Sequence, residues 1–116
     1  MAIALLLSAT QALAGSYQYI KAADLKQKIE TDQRGLLVDI QVEDEYTEHH
    51  IPGAIATYAY PVKSDADRAK LKEVLAQAQN SDEPVIIVCP RGAGGAKRTY
   101  DHLKAQGVSD TRPLFL

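Results

Sequence analysis

One segment concentrates the chain's chemistry: Val88-Cys89-Pro90-Arg91-Gly92-Ala93-Gly94-Gly95-Ala96-Lys97-Arg98. Cys89 is the single cysteine in the sequence. A thiol becomes a strong nucleophile only as its thiolate, so the residues around it matter more than the sulfur itself. Gly92, Gly94 and Gly95 follow closely, and they free the backbone to curl and aim N–H groups inward. A helix is expected next, with its positive end toward the loop. Together these features predict an ionised Cys89 acting as a nucleophile near neutral pH. From Cys89 to Lys104 the chain holds Arg91, Lys97, Arg98 and Lys104 against one acid, Asp101. Lys97 and Arg98 in the first helical turn oppose the dipole by roughly 0.3–1 kcal/mol each. Their presence beside a thiol suggests a site that attracts an anion. The competing reading is an inert buried cysteine followed by a flexible turn, since free cysteine packs well in cores. The glycine pattern is not a phosphate-binding P-loop, which needs Lys-Ser or Lys-Thr after its last glycine.

The elements that must position this segment are legible in the hydrophobic pattern. Val85 to Cys89 is β-branched and bounded by Pro84 and Pro90, the strongest strand signal in the chain. Leu36 to Ile40 is a second apolar run broken by Asp39, which suits a strand covered on both faces. Tyr17 to Ile20, Ile55 to Tyr58 and Arg112 to Leu116 are further strand candidates. Ala22 to Glu30 carries Leu25 and Ile29 at helical spacing, and Glu43 to His49 is a short acidic helix. Ser64-Asp65 offers an N-cap for one helix running to about Gln79, with Leu71, Val74, Leu75 and Ala78 on one face. The last helix is expected from about Gly95 to Gln106, stopped by Gly107. Strands alternate with helices, so the class is α/β with a largely parallel sheet. The C-terminal edge of such a sheet is where ligands bind, and Cys89 stands there. Tyr58 and Tyr60 are expected to cover the sheet rather than line a pocket.

Composition narrows the functions available. The 116 residues allow one domain and hardly two. A net charge of -2 gives no global basic field, which disfavours bulk nucleic-acid binding. One cysteine excludes an internal disulfide framework and a multi-thiolate metal cluster, and no metal or cofactor is expected. Residues 1–14 read MAIALLLSATQALA. The apolar run Ile3–Leu7 and the small-x-small Ala12-Leu13-Ala14 predict the remnant of a signal peptide. No Lys or Arg precedes that run, and it is far too short to span a membrane. The expected location is periplasmic or otherwise exported, and cytoplasmic if the segment is retained. A single domain is expected over residues 15–116.

Two blocks resemble the rhodanese (sulfurtransferase) homology domain. The first is Tyr46-Thr47-Glu48-His49-His50-Ile51-Pro52-Gly53-Ala54, similar to that family's aromatic-xxx-His-Ile-Pro-Gly-Ala signature and preceded by Leu37-Val38-Asp39-Ile40. The second is Val85 to Cys89 with its loop and following helix. The resemblance implies a three-layer α/β domain with a parallel sheet of about five strands flanked by helices. It implies a Cys89 persulfide that carries sulfane sulfur from thiosulfate or a similar small anionic donor to a thiol, cyanide or protein acceptor. Arg91, Gly92, Ala93, Gly94, Gly95, Ala96 and Arg98 would bind the substrate, and Lys97 would add positive field. Asp39, His50 and Gly53 look structural. Several positions depart from the pattern. Gln41 stands where many members have Arg, and Gly94-Gly95 stand where many have Arg-Ser. The dual-specificity phosphatase relatives place Arg six positions after the cysteine, where this chain has Gly95. Relatives usually continue past the equivalent of Leu116, so a truncated C-terminus is expected. The alternatives are a sulfur-carrier or partner-binding module with little free turnover and, further off, an oxyanion phosphatase or arsenate reductase relative.

Overall fold

The computed structural model describes residues 17–115. The signal segment read at residues 1–14 lies outside them. Five strands form one parallel sheet: β1 (Ile20–Lys21), β2 (Leu36–Asp39), β3 (Ile55–Ala56), β4 (Val85–Val88) and β5 (Thr111–Phe115), in the order β1-β5-β4-β2-β3. The helices are α1 (Ala22–Glu30), α2 (Glu43–Glu48), α3 (Asp65–Ala69), α4 (Lys72–Gln79) and α5 (Ala93–Ala105).

The alternation of side chains along β2 and β4 builds two cores. Leu37, Ile86 and Val88 face one side, where Leu25 of α1 and Leu114 of β5 meet them. Val38, Val85 and Ile87 face the other, against Leu71, Val74 and Ala78 and against Ala96, Tyr100 and Leu103 of α5. Cys89 continues that second set. All four residues of β4 are buried, which is why the run reads as continuously apolar. Each such side chain contributes roughly 1.5–3 kcal/mol on burial. Pro113 is tolerated inside β5 because the two-residue β1 pairs only with Leu114 and Phe115.

Several boundaries differ from the sequence expectation. The helix expected from Ser64 to Gln79 is two helices, interrupted at Lys70–Leu71. Residues 65–70 hold no large apolar side chain, so they have no face to bury. The break lets Leu71 turn fully into the core at the head of α4. Ser64 caps α3 in a capping box: its Oγ accepts the Asp67 N–H at 3.0 Å, and the Asp67 carboxylate accepts the Ser64 N–H at 3.3 Å. The first strand and the third shrink to two residues each, because each lies at a sheet edge with one partner. The last helix begins at Ala93, two residues before the expected start. Gly94 and Gly95 are therefore helical, and the loop after Cys89 is only Pro90 to Gly92.

Candidate active site

Cys89 follows directly on β4 at the C-terminal edge of the sheet, on the α5 side. Gly92 turns the chain at φ +110°, and nothing lies within 4 Å of where its Cβ would stand. Glycine is required there by backbone conformation alone. The turn brings the start of α5 back over the sulfur. The peptide N–H groups of Arg91, in the loop, and of Ala96, the fourth residue of α5, act on Cys89 and favour its thiolate. The sequence predicts a ring of loop amides; here one of the two acting N–H groups belongs to the loop and the other to α5.

The electrostatic outcome is the reverse of the sequence expectation. The Cys89 side chain is 4% exposed, and burial pushes its thiol above the ordinary range. The two amides and Arg98 favour the thiolate, while Asp39 opposes it. Desolvation outweighs the cradle, so the resting sulfur carries its proton at neutral pH. Glycine loops and helix ends predict a stabilised anion, but the sequence does not reveal how much water the fold removes.

The wall that removes that water comes from the chain after β3. Ile40 extends β2: its N–H donates to the Val88 carbonyl at 3.1 Å, and its carbonyl accepts the Tyr60 N–H at 2.9 Å. Thr57 ties the same segment to the Asp39 carbonyl through both its N–H and its hydroxyl, each at 3.0 Å. Tyr60 is thereby laid beside the thiol rather than merely over the sheet. Gly95 completes the enclosure. A Cβ at that position would stand 2.9 Å from Tyr60 Cδ2, and 3.1 Å from both Cys89 Sγ and Ile40 Cδ1. Only glycine lets α5 approach so closely.

The cations expected to bind substrate are each engaged. Arg91 grips Glu45 in a fork: its Nε donates to Oε1 at 3.1 Å and its Nη2 to Oε2 at 2.5 Å. The same guanidinium lies 5.4 Å from the centre of the Tyr60 ring. Arg98 donates from Nε to the Pro61 carbonyl at 2.8 Å, with its guanidinium over Gly94. Lys97 turns away and sets its ammonium 5.4 Å from the centre of the Tyr17 ring. That contact sets the Lys97 ammonium against Tyr17, and the charges acting on Cys89 are those of Arg98 and Asp39. Ala93 and Gly94 are exposed on the first turn, and Gly95 and Ala96 are buried.

Asp39 is fully buried at the end of β2. Its carboxylate accepts the Gln41 N–H and the Gln41 side-chain amide, both at 2.9 Å. Gln41 Nε2 also donates to the His49 carbonyl at 3.1 Å, so it ties the β2 loop to the end of α2. Burial raises the Asp39 pKa, and the two Gln41 bonds only partly offset it. His50 Nδ1 lies 2.8 Å from the Tyr46 carbonyl, and its ring stacks on Tyr46 at 4.0 Å. Tyr46 in turn donates to the Ala54 carbonyl at 3.0 Å. Gly53 sits at φ +90° with the Arg34 guanidinium 2.8 Å from where its Cβ would stand. Tyr46, His50 and Gly53 brace the turn between α2 and β3. A cleft of about 570 Å³ opens beside them, floored by Ile51, Val88 and Leu114 and rimmed by Asp39, Glu45 and Arg91. It lies on the α1 side of the sheet, and Cys89 does not line it.

The family model of the Rhodanese-like domain matches residues 21–114. The chain belongs to the rhodanese-like domain family. A crystal structure of a rhodanese-related protein from Thermoplasma volcanium superposes with a TM-score of 0.55 and 21% identity, over 84% of this chain and 83% of that one. That likeness shows the fold. No curated protein matches the chain.

In this rhodanese-like domain, position 95 has no room for the arginine that the phosphatase-type relatives use. Its Cβ alone would press on the Tyr60 ring. Gln41 meets the buried Asp39 with a neutral amide in place of a cation. Two neighbours of the site escaped the sequence reading. Glu45 was visible only as part of an acidic helix, and nothing in its spacing pointed to Arg91. Tyr60 was visible as an aromatic after β3, but its place beside the sulfur depends on the pairing of residues 57–60 with the end of β2.

Proposed function

We propose that this domain transfers sulfane sulfur through a persulfide on Cys89. The observation that carries the reading is the single thiol at the C-terminal edge of the central strand, with Gly92 turning the start of α5 back beside it and the Arg91 and Ala96 N–H groups favouring its charge. Such donors stabilise negative charge on sulfur in a water-poor site. A persulfide keeps that charge on its outer atom, so the same cradle serves the loaded form. The donor's sulfane sulfur bonds to Sγ, its old partner leaves with the bonding pair, and an acceptor nucleophile later removes the outer sulfur. Membership of the rhodanese-like family supports this chemistry in general terms. Intact mass measurement after incubation with a sulfane-sulfur donor tests it. The expected result is a gain of one sulfur atom that a second thiol removes and that Cys89→Ser abolishes. No gain with any donor, or an equal gain in Cys89→Ser, would overturn it.

A second reading is a sulfur carrier or partner-binding module with slow turnover of free donors. The 4% exposure of Cys89 and its raised pKa favour it, because both slow attack on a small molecule. Retention of a protein partner by Cys89→Ser, with negligible turnover in the wild type, would select it. The exported location rests on residues 1–14 alone, and fractionation of cells expressing the full chain checks it.

A further inference from the structure

The arginine nearest Cys89 in sequence is already paired with an acid of the same chain. Arg91 stands two residues after Cys89, and its own peptide N–H favours charge on the sulfur. Its side chain is hydrogen-bonded to Glu45, and its attraction to that sulfur ranks below this pairing. The fork uses two guanidinium nitrogens on two carboxylate oxygens, which is the geometry a bound oxyanion would otherwise take. Arg98 is turned to the Pro61 carbonyl, and Lys97 to the Tyr17 ring. On the opposing side, the buried Asp39 repels negative charge at the sulfur. A doubly charged anion approaching Cys89 therefore meets the charge of Arg98, but finds Arg91 paired with Glu45 and Asp39 opposing it.

We propose that Glu45, by holding Arg91 in this fork, makes the site select organic persulfides of no net negative charge over dianionic donors such as thiosulfate. This rests on the persulfide reading above and names the donor class for it. The transfer balances with the protonated thiol that the fold favours. Sγ of Cys89 bonds to the outer sulfur of the donor persulfide anion, and the donor's S–S bond breaks. The departing sulfur takes the bonding pair and the proton of Cys89, leaving as a neutral thiol. The enzyme keeps one sulfur atom and one negative charge, held by the Arg91 and Ala96 amides.

The test compares thiosulfate with cysteamine persulfide, a zwitterion of zero net charge, under identical salt. In the wild type, kcat/KM for cysteamine persulfide is expected to exceed that for thiosulfate at least tenfold. Glu45→Gln releases Arg91 and should shift the ratio of the two kcat/KM values about tenfold toward thiosulfate. Adding Arg91→Ala to Glu45→Gln should return that ratio to near its starting value. Asp44→Asn removes an equal charge from the same helix without touching Arg91, and should leave the ratio within twofold. A wild-type preference for thiosulfate, or an equal shift in Glu45→Gln and Asp44→Asn, would overturn the proposal while leaving the persulfide intact. Failure of both donors to load sulfur would overturn the persulfide reading and this one with it.

Discussion

Replacing Gly95 with alanine is the sharpest probe of how the thiol is enclosed. The backbone at Gly95 is ordinary helix, so no conformational penalty attaches to a side chain. Helix propensity alone would favour alanine by roughly 0.8–1 kcal/mol. Opposing it, the new Cβ would stand 2.9 Å from the Tyr60 ring and 3.1 Å from Cys89 Sγ and Ile40 Cδ1. Ile40 is fully buried, and the Tyr60 ring is held between Gly95 and the Arg91 guanidinium. Neither can retreat freely, so overpacking of the usual size, about 1–3 kcal/mol, applies. Sterics win, and Gly95→Ala should lose about 1 kcal/mol. Gly94→Ala is the matched control. Its nearest atom is Arg98 Nη1 at 3.1 Å, the far end of a long side chain whose Nε stays on the Pro61 carbonyl while the tip gives way. That variant should keep most of the propensity gain. Thermal unfolding followed by circular dichroism should separate the two melting temperatures by roughly 8 °C. Gly95→Ala melting at or above Gly94→Ala would refute the close approach of α5 to Tyr60 and the thiol.

Two further predictions concern charge. Alkylation of Cys89 by iodoacetamide should inflect at higher pH in the folded protein than in the denatured chain, because burial raises the folded pKa. By the same linkage, the group's contribution to stability is complete below the unfolded pKa and fades as pH rises through the folded one, so alkaline denaturant titrations should show a declining midpoint. Gln41→Ala removes the amide that serves Asp39 and the His49 carbonyl, and should lower stability by about 1–3 kcal/mol at neutral pH. Gln41 holds the Asp39 pKa down, so its loss raises that pKa further; the deficit should shrink as pH falls through the carboxyl range, and a deficit constant with pH would refute the coupling.

The sequence by itself determined the class of fold and the place of the sulfur. Strand and helix periods are local, and an uninterrupted apolar run such as Val85–Val88 can satisfy its backbone and bury both faces only inside a sheet. Cys89 at the end of that run, with glycines behind it, follows from the same local pattern. The turn bracing by Tyr46, His50 and Gly53 was likewise written in one contiguous stretch. What the tertiary structure decided was the environment. Whether Gly94 and Gly95 belong to a loop or a helix depended on how near α5 comes to Tyr60, a residue 35 positions away in sequence. Whether Arg91 was free depended on Glu45, 46 positions away on a different helix. Whether the sulfur was ionised depended on the balance between two amides and the exclusion of water by Ile40, Tyr60 and Gly95. Desolvation and pairing are sums over everything that folds against a group, so no stretch of sequence near Cys89 contained them.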